Sequence, residues 1–114
     1  MVAAAEYVPD QGHIVNLSLD PQAGHEQAGR RPVLILSVKR YNKVSSLCLI
    51  CPITHQAKGY PFEIELPKGL KTTGVLMSDQ IKSLDWRARQ AEFVDDIPLS
   101  IVEDVIKRVN LLFS

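Results

Sequence analysis

The sequence predicts a small, mainly β (α+β) fold: a barrel of five to seven short strands with one amphipathic helix at the C-terminus. Short apolar or alternating runs recur through residues 13–94 and are separated by turn residues. Residues 98–114 change to the 3.6-residue period of a helix. The length of 114 residues and the 46% apolar composition fit one domain, spanning 1–114, with a single modest core.

Six stretches have strand-like patterns, and each is bounded by glycine, proline or other turn residues. They are HIVNLSL (13–19), PVLILSV (32–38), SLCLICP (46–52), FEIEL (62–66), GVLMS (74–78) and QAEFV (90–94). The continuous apolar runs of the second and third stretches suit strands buried on both faces, as in a closed small barrel. FEIEL alternates, which predicts that Glu63 and Glu65 point outward.

The C-terminal segment PLSIVEDVIKRVNLLFS carries apolar residues at helical spacing, which predicts one helix covering an open face of the strands. Pro98 suits a first helical turn, and Ser100 with Glu103 fits a capping box.

The sequence holds no run of 18 or more apolar residues, so it predicts no membrane-spanning helix. The N-terminus lacks the basic region and the apolar stretch of a signal peptide, which favours the cytoplasm.

Cys48 and Cys51 lie three residues apart on the third predicted strand. Side chains at that spacing point to opposite faces, so these two thiols are not expected to bond to each other. A tetrahedral zinc site needs two further ligands at metal spacing, and the sequence offers no second CxxC or HxxxH. We therefore expect reduced core cysteines and no metal or other cofactor.

The net charge is zero, but the charge is unevenly spread along the chain. Residues 27–62 carry six lysines and arginines and no acid, whereas residues 1–26 carry four acids and neither lysine nor arginine. A local basic block can form a phosphate-binding face without a high overall pI, with a solvated surface as the alternative.

Three predicted loops gather polar side chains: 20–31, 52–61 and 79–89. A packed barrel interior cannot satisfy such groups, so its chemistry is expected on loops. The first loop contains Glu26, Gln27 and Arg31; the second Thr54, His55, Gln56 and Lys58; the third Asp79, Gln80, Lys82, Trp86, Arg87 and Arg89.

Several motifs occur together in one order: YVPDQGHIV, GHEQAGRRPVLILS, CLICPITHQAKGYPFEIEL and DQIKSLDWRAR. From Tyr7 to about Leu112 the chain resembles the MazF/PemK family, the ribonuclease toxins of bacterial toxin–antitoxin pairs. The resemblance implies a compact SH3-like barrel of the CcdB/MazF type and a homodimer. It also implies sequence-specific, metal-independent cleavage of single-stranded RNA such as mRNA, and neutralisation by a MazE-like antitoxin.

The resemblance assigns residues of this chain to roles. Glu26, Arg31 and Thr54 fall on the positions of the catalytic trio. The RNA groove is expected at Lys58, Asp79, Gln80 and Lys82, and Gln27, His55 and Arg87 are further candidate RNA contacts from the same loops.

The chemistry of RNA cleavage without a metal accounts for the trio. The 2′-hydroxyl attacks the phosphorus, giving a 2′,3′-cyclic phosphate and a 5′-hydroxyl. Glu26 is suited to act as the base that removes the 2′ proton. Arg31 and Thr54 are suited to stabilise the negative charge that develops on the phosphorane. A guanidinium is a poor proton donor, so we expect the leaving oxygen to take its proton from water or from a histidine, His25 or His55.

Each assignment has a structural alternative. Glu26 and Arg31 could form a bracing salt bridge, Thr54 could cap a turn, and each histidine could lie on the surface. Trp86 is expected to pack or to join an interface more readily than to stack a base. At the level of the whole protein, a non-enzymatic CcdB-like gyrase poison on the same fold is the main alternative, ahead of an SH3-like peptide-binding module.

The chain departs from the family pattern in places that bear on specificity. Some relatives carry aromatic residues where this chain has Asn16 and Leu19, and PKGLKTTG (67–74) adds basic residues and is slightly longer. The preferred RNA sequence therefore cannot be transferred from relatives.

Overall fold

The computed structural model describes residues 5–20 and 29–114, and in these ranges it confirms the mainly β architecture. The elements are β1 (His13–Ser18), β2 (Arg30–Ile35), α1 (Lys39–Ser45), β3 (Leu47–Thr54), β4 (Glu63–Glu65), β5 (Val75–Met77), β6 (Lys82–Asp85), β7 (Glu92–Asp96) and α2 (Leu99–Leu111). The described strands form one antiparallel sheet in the order β4-β5-β3-β2-β1-β7, with β6 pairing β3 off this path.

The long strand β3 organises this sheet because one of its edges changes partner midway. Leu47–Ile50 pair with β6, whereas Ile53 and Thr54 pair with β5. The opposite edge of β3 pairs with β2. The connection between β5 and β6, residues 78–81, therefore starts and ends along the same edge of β3. Asp79 and Gln80 lie in that connection.

The sheet buries two apolar clusters, one on each face. Along β2, Val33 and Ile35 belong to one cluster, while Leu34 and the following Leu36 belong to the other. Val33, Leu34 and Ile35 are all fully buried, which confirms the prediction of a strand buried on both faces. The helix α2 covers the cluster of Leu34 with its buried residues Val102 and Val105.

The two cysteines follow the same alternation. Cys51 packs in the cluster beneath α2, and Cys48 packs in the opposite cluster, each as a free thiol. Burial raises the pKa of both thiols to about 12, so they stay protonated at neutral pH. The prediction of reduced core cysteines is confirmed.

Two elements were not predicted. The third predicted loop, 79–89, contains β6, whose four residues pair with the first half of β3. The helix α1 follows β2, where no helix was expected. Its Asn42 is fully buried and donates hydrogen bonds to the carbonyls of Pro9 and Ser37 at 2.8 and 3.0 Å. The bond to Pro9 joins segments 33 positions apart, so local periodicity could not reveal the helix.

The C-terminal helix is confirmed, but its predicted cap is wrong. The helix begins at Leu99 with Pro98 as the N-cap residue, and no side chain forms a capping hydrogen bond. Ser100 lies inside the first turn, so it is too late in the chain to be the N-cap with Glu103 as its reciprocal partner. Within the described ranges, no helix has both the length and the apolar character needed to cross a membrane.

Candidate active site

Residues from two segments, 54–63 and 77–80, line a cavity of about 110 Å³ at the end of β3, which we call the Thr54 pocket. Its walls are formed by Thr54, Gln56, Lys58, Tyr60, Glu63, Met77, Asp79 and Gln80. Four of these are residues that the sequence predicted for the site: one candidate catalytic residue and three candidate RNA contacts. The fold therefore brings together groups that lie up to 26 positions apart in the sequence.

Thr54 ends β3, and its side chain is held in a fixed position. The residue is 7% exposed, and its Oγ1 accepts a hydrogen bond from the Gln56 N–H at 3.1 Å. This local bond is the turn-capping role considered as an alternative. A hydroxyl has one donor as well as its acceptor sites, so the bond leaves the Thr54 hydrogen for an oxygen atom in the pocket.

The backbone of Thr54 is packed tightly against the start of β5. Gly74 has a φ of +124°, and a Cβ atom at that position would overlap the Thr54 carbonyl. Only glycine allows this close approach, and the pairing of Thr54 with Val75 depends on it.

Glu63 anchors the loop that carries Lys58. Its carboxylate accepts the backbone N–H of Lys58 at 3.0 and 3.1 Å and that of Gly59 at 2.9 Å. Arg108 of α2 donates to the carbonyls of Pro61 and Glu63 on the other side of the same loop. Because hydrogen bonds to an ionised acceptor are the stronger kind, these contacts fix the loop relative to the Thr54 pocket.

The β5–β6 connection supplies hydrogen-bond acceptors to the pocket. The Gln80 backbone N–H donates to the Met77 carbonyl at 3.0 Å, which forms a tight turn and exposes Asp79. Among the described residues, Gln80 Oε1 is a buried acceptor without a hydrogen-bond partner. A buried acceptor left unpaired is costly, so this oxygen favours a ligand that brings a donor.

Arg31 lies on β2, and the strand register relates it to Thr54. Val33 pairs with Pro52, the last β2–β3 pair in this direction, and Arg31 and Thr54 each lie two residues beyond it on their own strand. Because side chains alternate along a strand, Arg31 lies on the same face as Val33, and Thr54 on the same face as Pro52. Lys82 is the second residue after Gln80 and pairs with Ile50, outside the walls of the Thr54 pocket.

Arg87 lies elsewhere and has structural partners. Its guanidinium binds the Glu6 carboxylate through two hydrogen bonds of 2.9 Å and lies over the Trp86 ring, 4.3 Å from the centroid. The hydrogen bond lowers the pKa of Glu6 and raises that of Arg87. Trp86 is buried, and its Nε1 donates to the Asn42 carbonyl, so it packs as expected. The structure does not bring Arg87 to the Thr54 pocket.

His55 also lies outside the Thr54 pocket. It follows Thr54 directly and lines a separate cavity, in which its Nδ1 is 3.5 Å from the Thr73 hydroxyl. Adjacent side chains on an extended segment point to opposite faces, which accounts for the separation.

Glu26 and Gln27, with His25, lie outside the described residues, but the ends of their connection are fixed. Asp20 Oδ1 accepts the Gly29 N–H at 2.8 Å, and Arg89 donates to the Asp20 carbonyl at 2.8 Å. Arg30 reaches the carbonyls of Arg89 and Gln90. The two arginines therefore brace the point where the connection leaves and rejoins the sheet.

Four residues of the pocket walls had no predicted site role: Gln56, Tyr60, Glu63 and Met77. The position of Glu63 directly after KGYPF, at the first residue of a short strand, was the available signal for an anchoring role. Within the described ranges, no group of three or more His, Cys, Asp or Glu side chains is arranged to hold a metal ion.

Nearly the whole chain matches known proteins. A family model described as a PemK-like, MazF-like toxin of type II toxin-antitoxin systems matches residues 10–113. The endoribonuclease toxin MazF of Escherichia coli strain K12 is 41% identical over 110 residues, covering 96% of this chain and 98% of the relative. The endoribonuclease PemK of Escherichia coli is 36% identical over 109 residues, covering 92% and 82%.

Solved structures give the same answer for the fold. MazF (Form-I) of Deinococcus radiodurans superposes with a TM-score of 0.91 at 49% identity, covering 95% of this chain and 98% of that one. The MazE-MazF structure (Form-II) from the same organism has a TM-score of 0.86 at 49% identity, covering 95% and 97%. The match of the family model over nearly the full length, with these relatives, shows that the chain belongs to the PemK/MazF family of toxins.

Proposed function

We propose that this chain is an endoribonuclease toxin that cleaves single-stranded RNA at a short sequence and thereby inhibits translation and growth. The observation that carries the proposal is the Thr54 pocket, which combines a threonine hydroxyl and a lysine with the acceptors of Asp79 and Gln80. Relatives at 36–41% identity over nearly the full length are named as endoribonucleases. The gyrase-poison alternative does not account for a pocket of this chemistry.

In the proposed mechanism, Glu26 removes the proton of the 2′-hydroxyl, whose oxygen attacks the adjacent phosphorus. The bond to the 5′-oxygen breaks, which leaves a 2′,3′-cyclic phosphate and a 5′-hydroxyl. Arg31 and the Thr54 hydroxyl donate to the phosphorane oxygens as negative charge develops. Water or His25 supplies the proton to the leaving oxygen, because His55 lies in a different cavity from Thr54.

The arrangement of β2 and β3 supports a shared site. Arg31 and Thr54 each lie two residues beyond the pair formed by Val33 and Pro52, on the same side of it. Glu26 is three residues from Gly29, so the chain limits it to about 11 Å from that point. A carboxylate in this connection can therefore act on the same phosphodiester as Arg31.

The proposed partners follow from the family. Solved structures of relatives contain MazE together with MazF, and we propose a MazE-like antitoxin for this chain. An acidic, partly disordered antitoxin segment would occupy the RNA groove as a polyanion.

We also propose a homodimer, for which the exposed apolar side chains of α1 and the start of β3 offer a surface: Tyr41, Val44, Leu47 and Leu49. The proposed site of action is the cytoplasm, where mRNA is translated.

The test of the proposed activity is cleavage of a mixed-sequence, single-stranded RNA by the purified protein, with mapping of cut positions and end groups. We expect cuts at one short sequence, with cyclic phosphate and 5′-hydroxyl ends, and unchanged rates in excess EDTA. Products with 5′-phosphate ends, or activity that EDTA removes and magnesium restores, would contradict the mechanism. Intact RNA together with inhibition of DNA gyrase would favour the alternative function.

Glu63→Gln is expected to weaken RNA binding more than it slows the chemical step. The change removes the charge that holds the Lys58 loop and sets an amide N–H against the backbone donors of Lys58 and Gly59. We expect KM to rise by about tenfold, the equivalent of about 1.4 kcal/mol, with a smaller change in kcat.

The matched control is Glu103→Gln, which neutralises an exposed carboxylate on α2. Steady-state cleavage of a fluorogenic RNA and the melting temperature would be measured for both variants. Equal KM values for the two, or a loss of Glu63→Gln activity explained entirely by a lower melting temperature, would show that Glu63 does not position the loop.

A further inference from the structure

One wall of the Thr54 pocket comes from the connection between β3 and β4, and we call its residues 58–63 the Lys58 loop. Lys58, Tyr60 and Glu63 of this loop line the pocket. Residues 55–61 are all exposed, so packing does not hold this part of the chain in place. The position of the wall therefore depends on hydrogen bonds.

The carbonyl groups of three consecutive residues, 61–63, make these hydrogen bonds. The central one, of Phe62, accepts the backbone N–H of Ser78 at 3.1 Å and also the Ser78 hydroxyl. Ser78 is fully buried and belongs to 77–80, the other segment that lines the pocket. The Phe62 carbonyl thus joins the two walls to each other.

The helix α2 holds the other two carbonyls through Arg108. Its Nη1 donates to the Pro61 carbonyl and, at 3.2 Å, to the Glu63 carbonyl. Its Nε lies 3.4 Å from Oδ1 of Asp104, one helical turn earlier, and the side chain is 34% exposed. A guanidinium carries five N–H donors in one plane, so a single side chain can bind both carbonyls and a carboxylate.

Glu63 connects the Arg108 contact to the pocket. Arg108 binds its carbonyl, and its carboxylate binds the backbone N–H groups of Lys58 and Gly59. Arg108 itself is not part of the pocket walls. Its influence on a ligand in the pocket would therefore pass through the Lys58 loop.

We propose that Arg108 is a positioning residue for RNA binding, and that α2 thereby controls the wall that carries Lys58 and Tyr60. This inference rests on the proposed endoribonuclease function. With Arg108 in place, the Lys58 loop is held by Ser78 on one side and by α2 on the other, and RNA meets a preformed wall. Without Arg108, RNA must order the loop as it binds, which reduces affinity.

The first experiment measures steady-state cleavage of a short RNA by the parental protein, Arg108→Ala, Arg108→Lys and the control Lys107→Ala. Lys107 is the exposed neighbour of Arg108 on α2 and is not part of the pocket walls, so its loss removes the same charge from the helix. We expect Arg108→Ala to raise KM by about tenfold, the equivalent of about 1.4 kcal/mol, with a smaller change in kcat. Lys107→Ala should keep the parental KM.

Two further variants separate positioning from a direct contact with RNA. Arg108→Lys should recover only part of the affinity, because an ammonium keeps the charge but lacks the planar set of donors. The double variant Arg108→Ala with Glu63→Gln releases one loop twice. Its KM should therefore rise much less than the roughly hundredfold expected of two independent tenfold effects.

The second experiment does not depend on cleavage. Hydrogen exchange of the Lys58 and Gly59 amides, measured by NMR without RNA, should be about tenfold faster in Arg108→Ala, the equivalent of about 1.4 kcal/mol. The amides of β2 should exchange at the parental rate, which distinguishes release of the loop from a general loss of stability. Lys107→Ala should change neither set.

Equal KM values for Arg108→Ala and Lys107→Ala would overturn the proposal. Independent effects in the double variant, or full recovery in Arg108→Lys, would also overturn it, because Arg108 would then act on RNA by its own charge. Parental exchange rates for Lys58 and Gly59 in Arg108→Ala would show that the loop does not depend on α2. If the parental protein neither binds nor cuts RNA, the proposed function fails, and the role of Arg108 in RNA binding fails with it, whereas the exchange rates still report on the contact between α2 and the loop.

Discussion

Replacing Glu26 with glutamine is expected to reduce the rate of RNA cleavage by about 10²–10⁴-fold, the contribution typical of a general base. Glutamine keeps the shape of the side chain but cannot take the 2′ proton at neutral pH. Binding of RNA should be similar or slightly tighter, because a negative charge close to the phosphate is removed. Single-turnover cleavage and fluorescence anisotropy of a labelled RNA measure the two quantities separately.

The control for this prediction is again Glu103→Gln, which removes a carboxylate far along the chain on α2. That variant should cleave at the parental rate. Cleavage by Glu26→Gln at a rate close to the parental value would show that another group is the base. A large loss of RNA affinity in Glu26→Gln would show instead that the residue acts in binding.

Replacing Arg31 with alanine is expected to lower kcat by about 10²–10³-fold, as the loss of one preorganised donor to a developing oxyanion does. Arg31→Lys should recover only part of the rate, because an ammonium keeps the charge but cannot donate two parallel hydrogen bonds. Since the interaction is stronger in the transition state than in the ground state, KM should change less than kcat.

Arg30→Ala is the matched control, because Arg30 neighbours Arg31 on β2 and points to the opposite face. Arg30 binds the carbonyls of Arg89 and Gln90 and the Glu92 carboxylate, so its loss should lower the melting temperature. Its effect on kcat should be much smaller. Similar kcat losses in the two alanine variants, or full activity in Arg31→Lys, would contradict the role given to Arg31.

Much of the fold was predictable because its strands carry their own burial patterns. The apolar run of β2 alternates between two clusters, and the C-terminal helix shows its period directly. α1 and β6 were missed because they depend on distant partners: the bonds of Asn42 to Pro9, and the pairing of β6 with the first half of β3. A local sequence pattern does not indicate contacts between residues that are distant in the sequence.

The site was predictable only in part. The family resemblance identified Thr54, Lys58, Asp79 and Gln80, but no sequence pattern shows that these residues lie close together. They line one pocket because β3 changes its partner strand midway. Polarity alone could not separate the groups that line a pocket from those that brace the fold. Arg87 shows this, because its partner Glu6 is 81 positions away.

The two histidines considered as acids illustrate a further limit of sequence reasoning. His55 was considered as a catalytic acid because it follows Thr54 directly in the sequence. Side chains alternate along an extended chain, so His55 points toward a different cavity. His25, Glu26 and Gln27 lie outside the described residues, so their catalytic and binding roles stay predictions. The role of Arg31 rests on the β2–β3 register and on the family motif.

The most direct test of the central claim is a structure of the protein with an RNA that carries a 2′-deoxy substitution at the cleaved position, which removes the nucleophile. We expect the uncleaved phosphate to accept hydrogen bonds from the Arg31 guanidinium and the Thr54 hydroxyl. We also expect the Glu26 carboxylate to face the C2′ atom of the same nucleotide. A phosphate bound away from Thr54, or these three side chains directed at separate parts of the RNA, would contradict the shared site.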